Sequence, residues 1–122
     1  MTRESKLAKD LSMHSYSAMR TPRNEVSLEG RVSSLPFEKQ LPSGDLVVEF
    51  RIVIDRRGSR GKKREVDTLD IAVWLASPRR SARSLKIDDW VAVEGAVRRR
   101  FWKGPNGLAS RWQVEANHLH RL

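Results

Sequence analysis

The chain has 122 residues, enough for one domain with a buried core, and it has no cysteine, which excludes disulfides, a thiol nucleophile and a cysteine-ligated metal site. No apolar run approaches the roughly 20 residues of a membrane-spanning helix, so we expect no membrane segment. The formal net charge of +9 favours an acidic partner, with nucleic acid ahead of an anionic membrane surface. A ribosome-associated or simply basic protein is the alternative.

Residues 1–23 are predicted to form a flexible basic arm. They hold five basic and two acidic residues, many Ser and Thr, and little hydrophobic periodicity. A transit peptide is an alternative, and Glu4 and Asp10 argue against it because such peptides are poor in acidic residues. We therefore place the folded domain at residues 24–122.

The first two strands are predicted from a hydrophobic period of two. Residues 26–32 alternate between apolar and polar side chains, as do residues 46–54. In the second stretch Glu49 and Arg51 fall on the polar face. Between the stretches, residues 41–45 read Leu-Pro-Ser-Gly-Asp, which is strong turn chemistry because Pro presets φ and Gly allows φ > 0.

Residues 56–64 are predicted to form a mobile loop between strands, because six of the nine are cationic and the others are Gly or Ser. Such a loop cannot pack a core, and a solvated charge run is the bland interpretation. The flanking strands make it a protrusion, which favours a clamp over a phosphate chain.

A third strand is predicted at residues 67–75, with Trp74 on its less apolar face. A Trp in that position is either a stacking platform or covered by a neighbouring element. Ser77 and Pro78 then predict a helix N-cap and a first helical position. The short helix is expected to run to about Lys86.

The fourth strand is predicted at residues 90–102. One alternating set, which ends in Val97 and Phe101, is suited to a core, and the other ends in Arg98, Arg100 and Trp102. A face that carries cations beside a flat ring suits a polyanion whose bases can stack. Gly95 predicts a bulge or a sharp bend.

A tight turn at residues 104–107 and a fifth strand at about 108–117 complete the order of elements. Five strands with one short helix between the third and fourth are typical of an OB-fold, a small, partly open barrel. The predicted fold class is therefore all-β, a five-stranded OB-fold barrel. In such folds the face of strands two and three and the nearby loops bind oligonucleotides.

Residues 24–122 resemble the bacterial single-stranded DNA-binding protein family. The matching stretches, in chain order, are residues 24–32, 42–44, 70–74, 91–102 and 111–115. The resemblance implies an OB-fold, assembled as a homotetramer, that wraps single-stranded DNA without sequence readout. It also implies that Trp74 and Trp102 stack on bases.

The chain departs from that family in three places. It stops at Leu122 without the family's Gly-rich linker and acidic tip, so we expect a short form without partner recruitment by such a tip. Arg56, Arg57 and Thr68 stand where some members have Trp, so binding should depend more on charge. Ile87-Asp88 replaces the family's Lys-Gly before strand four, and Asp tolerates a left-handed turn better than most residues.

Enzyme and metal chemistry find little support in the sequence. His118 and His120 are two apart, which permits a weak metal site, although an ordinary surface pair is more common. No paired carboxylates, phosphate loop or nucleophile elbow are recognisable. We therefore expect neither a catalytic site, nor a cofactor, nor a metal.

The sequence predicts a cytoplasmic, nucleoid-associated protein that binds single-stranded DNA in replication, repair or recombination. An RNA-binding OB module and a protein-interaction subunit of a replication or translation complex are the alternatives. The predicted nucleic-acid contacts are Trp74, Trp102, Arg98, Arg100, Lys103, Arg51, Arg56, Arg57, Lys62, Lys63 and Arg64.

Overall fold

The computed structural model describes residues 19–57 and 65–122. Most of the predicted arm at 1–23 and the greater part of the 56–64 loop lie outside these residues. The elements are β1 (Val26–Val32), β2 (Phe37–Gln40), β3 (Leu46–Asp55), β4 (Val66–Val73), α1 (Ala76–Arg83), β5 (Trp90–Gly104) and β6 (Gly107–Arg121).

Five strands close into a ring. β1 pairs with β5, β5 with β6 and β3 with β4, all antiparallel, while β6 and β4 run parallel. A short antiparallel pairing of β1 with β3, at Arg31 opposite Val53, closes the ring. With α1 between the third and fourth strands of the ring, the predicted OB-fold is confirmed.

β2 is an additional strand that the sequence did not predict. It pairs antiparallel with the free edge of β3, from Phe37 opposite Glu49 to Gln40 opposite Leu46. Its four residues, Phe-Glu-Lys-Gln, carry no apolar alternation, so the pattern gave no signal for it. Tertiary pairing with β3 rather than local propensity therefore makes this strand.

The core lies inside the ring, and the predicted alternation places side chains in it. The largest fully buried members are Val32, Val48, Ile52, Ile71, Val73, Val91 and Val93. Burial of one such side chain contributes roughly 1.5–3 kcal/mol. The polar side chains that alternate with them along the strands, such as Glu49 and Arg51, consequently lie on the outer face of the barrel.

Two glycines permit the close approaches that shape the ring. A Cβ on Gly30 would lie 2.6 Å from the carbonyl oxygen of Val53, across the closure of β1 and β3. A Cβ on Gly95 would lie 1.9 Å from the carbonyl oxygen of Glu115, where the β5–β6 register shifts. The predicted bulge at Gly95 is thus confirmed.

The helix differs from its prediction at both ends, and it stops at Arg83 rather than at about Lys86. It begins at Ala76 with Leu75 as N-cap and no side-chain capping bond, so the predicted Ser77 cap is wrong. Pro78 lies in the first turn, where a missing N–H costs no intrahelical bond. α1 has eight residues and is too short to cross a membrane. Within residues 19–57 and 65–122 no helix is longer than α1.

Phe101 is also a correction, because it was predicted to face the core and is 58% exposed. The ring closes around Val97 and Val114, and β5 and β6 run on beyond it as a two-stranded ribbon. Side chains that point in the core direction therefore reach solvent there. The left-handed turn expected at Asp88 is present, with φ of 72°.

Candidate nucleic-acid interface

The ribbon, defined here as residues 97–113, joins the ends of β5 and β6. It contains five cationic and no acidic residues. One face, called the groove face because it borders the depression described next, carries Arg98, Arg100 and Trp102 with the cross-strand residues Gln113, Arg111 and Ala109. Its back face carries Arg99, Phe101 and Lys103 with Trp112, Ser110 and Leu108. Strand alternation thus gives both faces cations and an aromatic ring.

A depression lies where this face of the ribbon meets the outer face of β3, and we call it the groove. A cavity of about 380 Å³ is lined by Lys39, Glu49, Arg100, Trp102, Arg111 and Gln113. A neighbouring cavity of about 220 Å³ shares the last two and Glu49 and extends to Phe37. The groove therefore runs continuously from Trp102 to Phe37.

Two tryptophans and two arginines form stacked pairs in this groove. The guanidinium carbon of Arg100 lies 5.3 Å from the Trp74 ring centroid. That of Arg111 lies 5.7 Å from the Trp102 ring centroid. Trp102 is 42% exposed and Trp74 is half-buried. Indole rings and guanidinium planes both accept a stacked base, and the guanidiniums also attract phosphates.

Carboxylates already pair with most of the groove cations. Glu49 accepts hydrogen bonds from Arg100 at 3.4 Å and from Gln113 at 3.2 Å. Its other oxygen lies 3.4 Å from Lys39 Nζ. Such partly exposed pairs add only about 0–1 kcal/mol of stability. They fix the position of the Arg100 guanidinium, and an incoming phosphate would compete for it.

Asp70 has the same role further along the groove. It accepts a hydrogen bond from Arg51 at 2.8 Å and lies 3.8 Å from Arg111. Arg98 pairs with Glu115 at 3.2 Å. The groove and its margin therefore set five cations against three carboxylates, a net charge of +2. The five are Lys39, Arg51, Arg98, Arg100 and Arg111, and the three are Glu49, Asp70 and Glu115.

The structure separates the predicted contacts into groups. Trp74, Trp102, Arg100 and Arg51 come together along the groove, and Arg98 lies beside it on the same face. Lys103 lies on the back face, opposite Leu108. The predicted contacts Lys62, Lys63 and Arg64 fall outside the described residues.

Arg56 and Arg57 lie at the end of β3, where the loop begins. Arg56 pairs with Asp67 at 2.8 Å and with Glu65 at 3.5 Å. The hydrogen bond with Asp67 raises the pKa of Arg56 further above its already high ordinary value. The charge of Arg56 is already compensated by two carboxylates, whereas Arg57 is exposed. The phosphate-clamp role of this loop stays a prediction.

Sequence reasoning did not assign six residues to the groove: Phe37, Lys39, Glu49, Asp70, Arg111 and Gln113. Phe37 and Lys39 belong to β2, which the pattern did not indicate. Arg111 and Gln113 alternate on β6, and that alternation was the available signal. Their position opposite Arg100 and Arg98 depends on the β5–β6 register.

The sequence model of the single-strand binding protein family matches residues 23–122. A single-stranded DNA-binding protein of Oceanobacillus iheyensis is 29% identical over 85 residues, which cover 69% of this chain and 53% of that protein. Single-stranded DNA-binding protein 1 of Synechocystis is 25% identical over 101 residues, which cover 81% of this chain and 83% of that protein.

The fold has a solved counterpart. The Plasmodium falciparum SSB in complex with ssDNA superposes with a TM-score of 0.69 at 24% identity, covering 84% of this chain and 97% of that one. A similar relative of Clostridium tetani is 28% identical over 85 residues. The chain spans 53% and 59% of the Oceanobacillus and Clostridium proteins, little more than half of their length.

Proposed function

Since residues 23–122 make the chain a member of the single-strand binding protein family, we propose that it binds single-stranded DNA without sequence readout. The observation that carries the proposal is the groove, in which Arg100 stacks on Trp74 and Arg111 on Trp102. Cations that track a backbone, combined with rings that stack on any base, are the chemistry of non-specific single-strand binding.

The groove binds in two coupled ways. Phosphates displace Glu49 and Asp70 from their arginines. This electrostatic part of the binding strengthens as the salt concentration is lowered, because binding releases counterions from the strand. Bases stack on Trp102, and on Trp74 with the plane of Arg100. Duplex bases are already stacked on each other and cannot reach the rings without unpairing. The groove therefore favours a single strand.

The biological setting is part of the proposal. Family membership supports a binding protein rather than an enzyme. That the protein acts in DNA replication, repair or recombination, in the cytoplasm at the nucleoid, is the part of the proposal that extends the predicted binding to its setting. The groove needs neither a cofactor nor a metal, because side chains supply all of its charge and stacking surface.

Fluorescence titration tests the proposed function. Oligo-dT, oligo-rU and a duplex are each added to the full chain while Trp emission is followed at fixed salt. We expect dT to bind more tightly than the duplex and at least as tightly as rU. Tighter binding of rU would make the protein an RNA-binding module. An absence of binding to all three would overturn the proposal.

Replacing Glu49 by Gln is expected to strengthen binding. The substitution keeps the shape and the hydrogen-bond acceptor but removes the charge that pairs with Arg100 and Lys39. One released cation should add about 0.7 to the magnitude of the slope of log affinity against log salt. Glu29→Gln is the matched control, because Glu29 lies on β1, outside the groove. Equal behaviour of the two variants would contradict a contact between the groove and phosphates.

We propose further that the chain assembles as a homo-oligomer, with a tetramer favoured. Only Arg31 and Val32 of β1 pair with β3, so among the described residues the first part of β1 presents an open edge. Open edges invite pairing with another chain. Light scattering at micromolar concentration should give about four times 14.0 kDa. A species of 14.0 kDa alone would exclude the assembly and leave the groove unaffected.

A further inference from the structure

The back face of the ribbon carries a second stacked cluster that the groove does not use. The Arg99 guanidinium carbon lies 5.6 Å from the Phe101 ring centroid and 5.2 Å from the Trp112 ring centroid. Arg99 also donates two hydrogen bonds to Ser110 Oγ, at 3.1 Å and 2.8 Å. Its guanidinium plane is thereby fixed against both rings.

Charge distinguishes this face from the groove. Each arginine in the groove has a carboxylate partner, whereas Arg99 and Lys103 have none among the residues that the structure describes. Two uncompensated cations therefore stand beside two rings. An anionic partner of Arg99 and Lys103 displaces no carboxylate from these two cations, so their charge is complementary to a polyanion.

The rings are open to solvent. Phe101 and Trp112 are each 58% exposed, so more than half of each residue is accessible to a partner. A cavity of about 220 Å³ opens beside Trp112 and is lined by the apolar Leu69, Val97 and Val114 and by the polar Thr68, Asp70 and Gln113. A flat group stacked on Trp112 thus has a mainly apolar niche at its edge, with one carboxylate, that of Asp70, in its lining.

We propose that the back face is a second contact for single-stranded nucleic acid, reached by a strand that leaves the groove past Trp102. This inference rests on the proposed function. The ribbon is two strands wide, and its outer edges pair with no further strand beyond Gly95 on β5 and Val114 on β6 among the described residues. A sheet layer is only about 10 Å thick, so a strand turns around this edge over a short path. Its bases then stack on Trp112 and Phe101, and its phosphates meet Arg99 and Lys103.

Strand length separates the two contacts experimentally. A strand of about eight nucleotides is within the 4–16 that one OB-fold covers and fills the groove alone, whereas one of about 30 nucleotides also reaches the back face. Binding of both strands is measured for the wild type and for two matched pairs of substitutions on the same ribbon. The back-face pair is Arg99→Gln with Trp112→Ala, and the groove pair is Arg100→Gln with Trp102→Ala.

The back-face pair should bind the short strand like the wild type and the long strand at least about fivefold more weakly. The groove pair should weaken both. A second back-face variant, Arg99→Gln with Lys103→Gln, leaves the rings in place. It should lower the salt-slope magnitude for the long strand alone, by up to about 1.4.

Four results overturn the inference or its premise. Wild-type affinity of the back-face variants for the long strand, with loss in the groove pair, would overturn the second contact and leave the proposed function standing. Equal loss on both strands would show that the back face acts only through the groove. A lower mass by light scattering with unchanged binding would assign the face to a second copy of the chain. Failure of the wild type to bind either strand would overturn the proposed function itself.

Discussion

Replacing Trp74 and Trp102 together by Ala is expected to weaken binding of a short oligo-dT by between about 30-fold and about 10⁴-fold. Each lost stack of a base on an aromatic ring costs about 1–3 kcal/mol, and the two rings have separate arginine partners, with Trp102 on β5 and Trp74 directly after the end of β4. The losses should therefore add approximately. Fluorescence anisotropy of a labelled strand measures them without depending on Trp emission.

The control for this double variant is Trp90→Ala. Trp90 lies on β5 like Trp102 and is 50% exposed, but it is opposite Arg31 at the far end of the strand from the ribbon. Its loss should leave affinity unchanged, and thermal unfolding should show that all variants fold. Wild-type affinity in a folded double variant would contradict the proposal that the groove binds the strand. An equal loss for Trp90→Ala would do the same.

The second large effect concerns stability. Gly95→Ala is expected to destabilise the protein at the upper end of the about 1–3 kcal/mol that overpacking costs, or beyond it. The new Cβ would lie 1.9 Å from the Glu115 carbonyl oxygen and 3.0 Å from Ala116 Cα. Both neighbours are backbone atoms, so β6 itself must move.

Thermal denaturation measures this effect, at about 4–8 °C of Tm per kcal/mol for a domain of up to about 100 residues. Gly44→Ala is the matched comparison, because a Cβ there meets nothing within 4 Å and only its φ of +95° opposes the change. The Gly95 variant should lose clearly more Tm. A loss of Tm no greater than that of Gly44→Ala would contradict the close approach of the β5 and β6 backbones at the bulge.

Much of the fold was predictable because its signals are local. The alternation along β3 and β5 fixes which side chains face the core, and Gly95 marks the bulge. β2 was not predictable, because four residues without a pattern become a strand only by pairing with β3. Phe101 was placed wrongly because alternation gives a direction and not the point at which the barrel wall ends.

The candidate site was predictable in part for the same reason. Trp102 and Arg100 share a face by alternation alone, so their proximity was expected. Their pairing with Arg111 and Trp74 requires the cross-strand register and the closure of the ring. Glu49 shows the limit most clearly, because sequence assigns it to a polar face but not to a bond with Arg100, 51 residues away.

Photo-crosslinking shows whether the groove holds the single strand. An oligonucleotide of about eight nucleotides, short enough for one OB-fold, carries 5-iodouracil, which crosslinks to aromatic side chains in stacking contact. After irradiation of the bound full chain, mass spectrometry identifies the attached residues. We expect Trp102 and Trp74 to be the principal attachment sites. Attachment at Trp90, with Trp74 and Trp102 unmodified, would contradict binding in the groove.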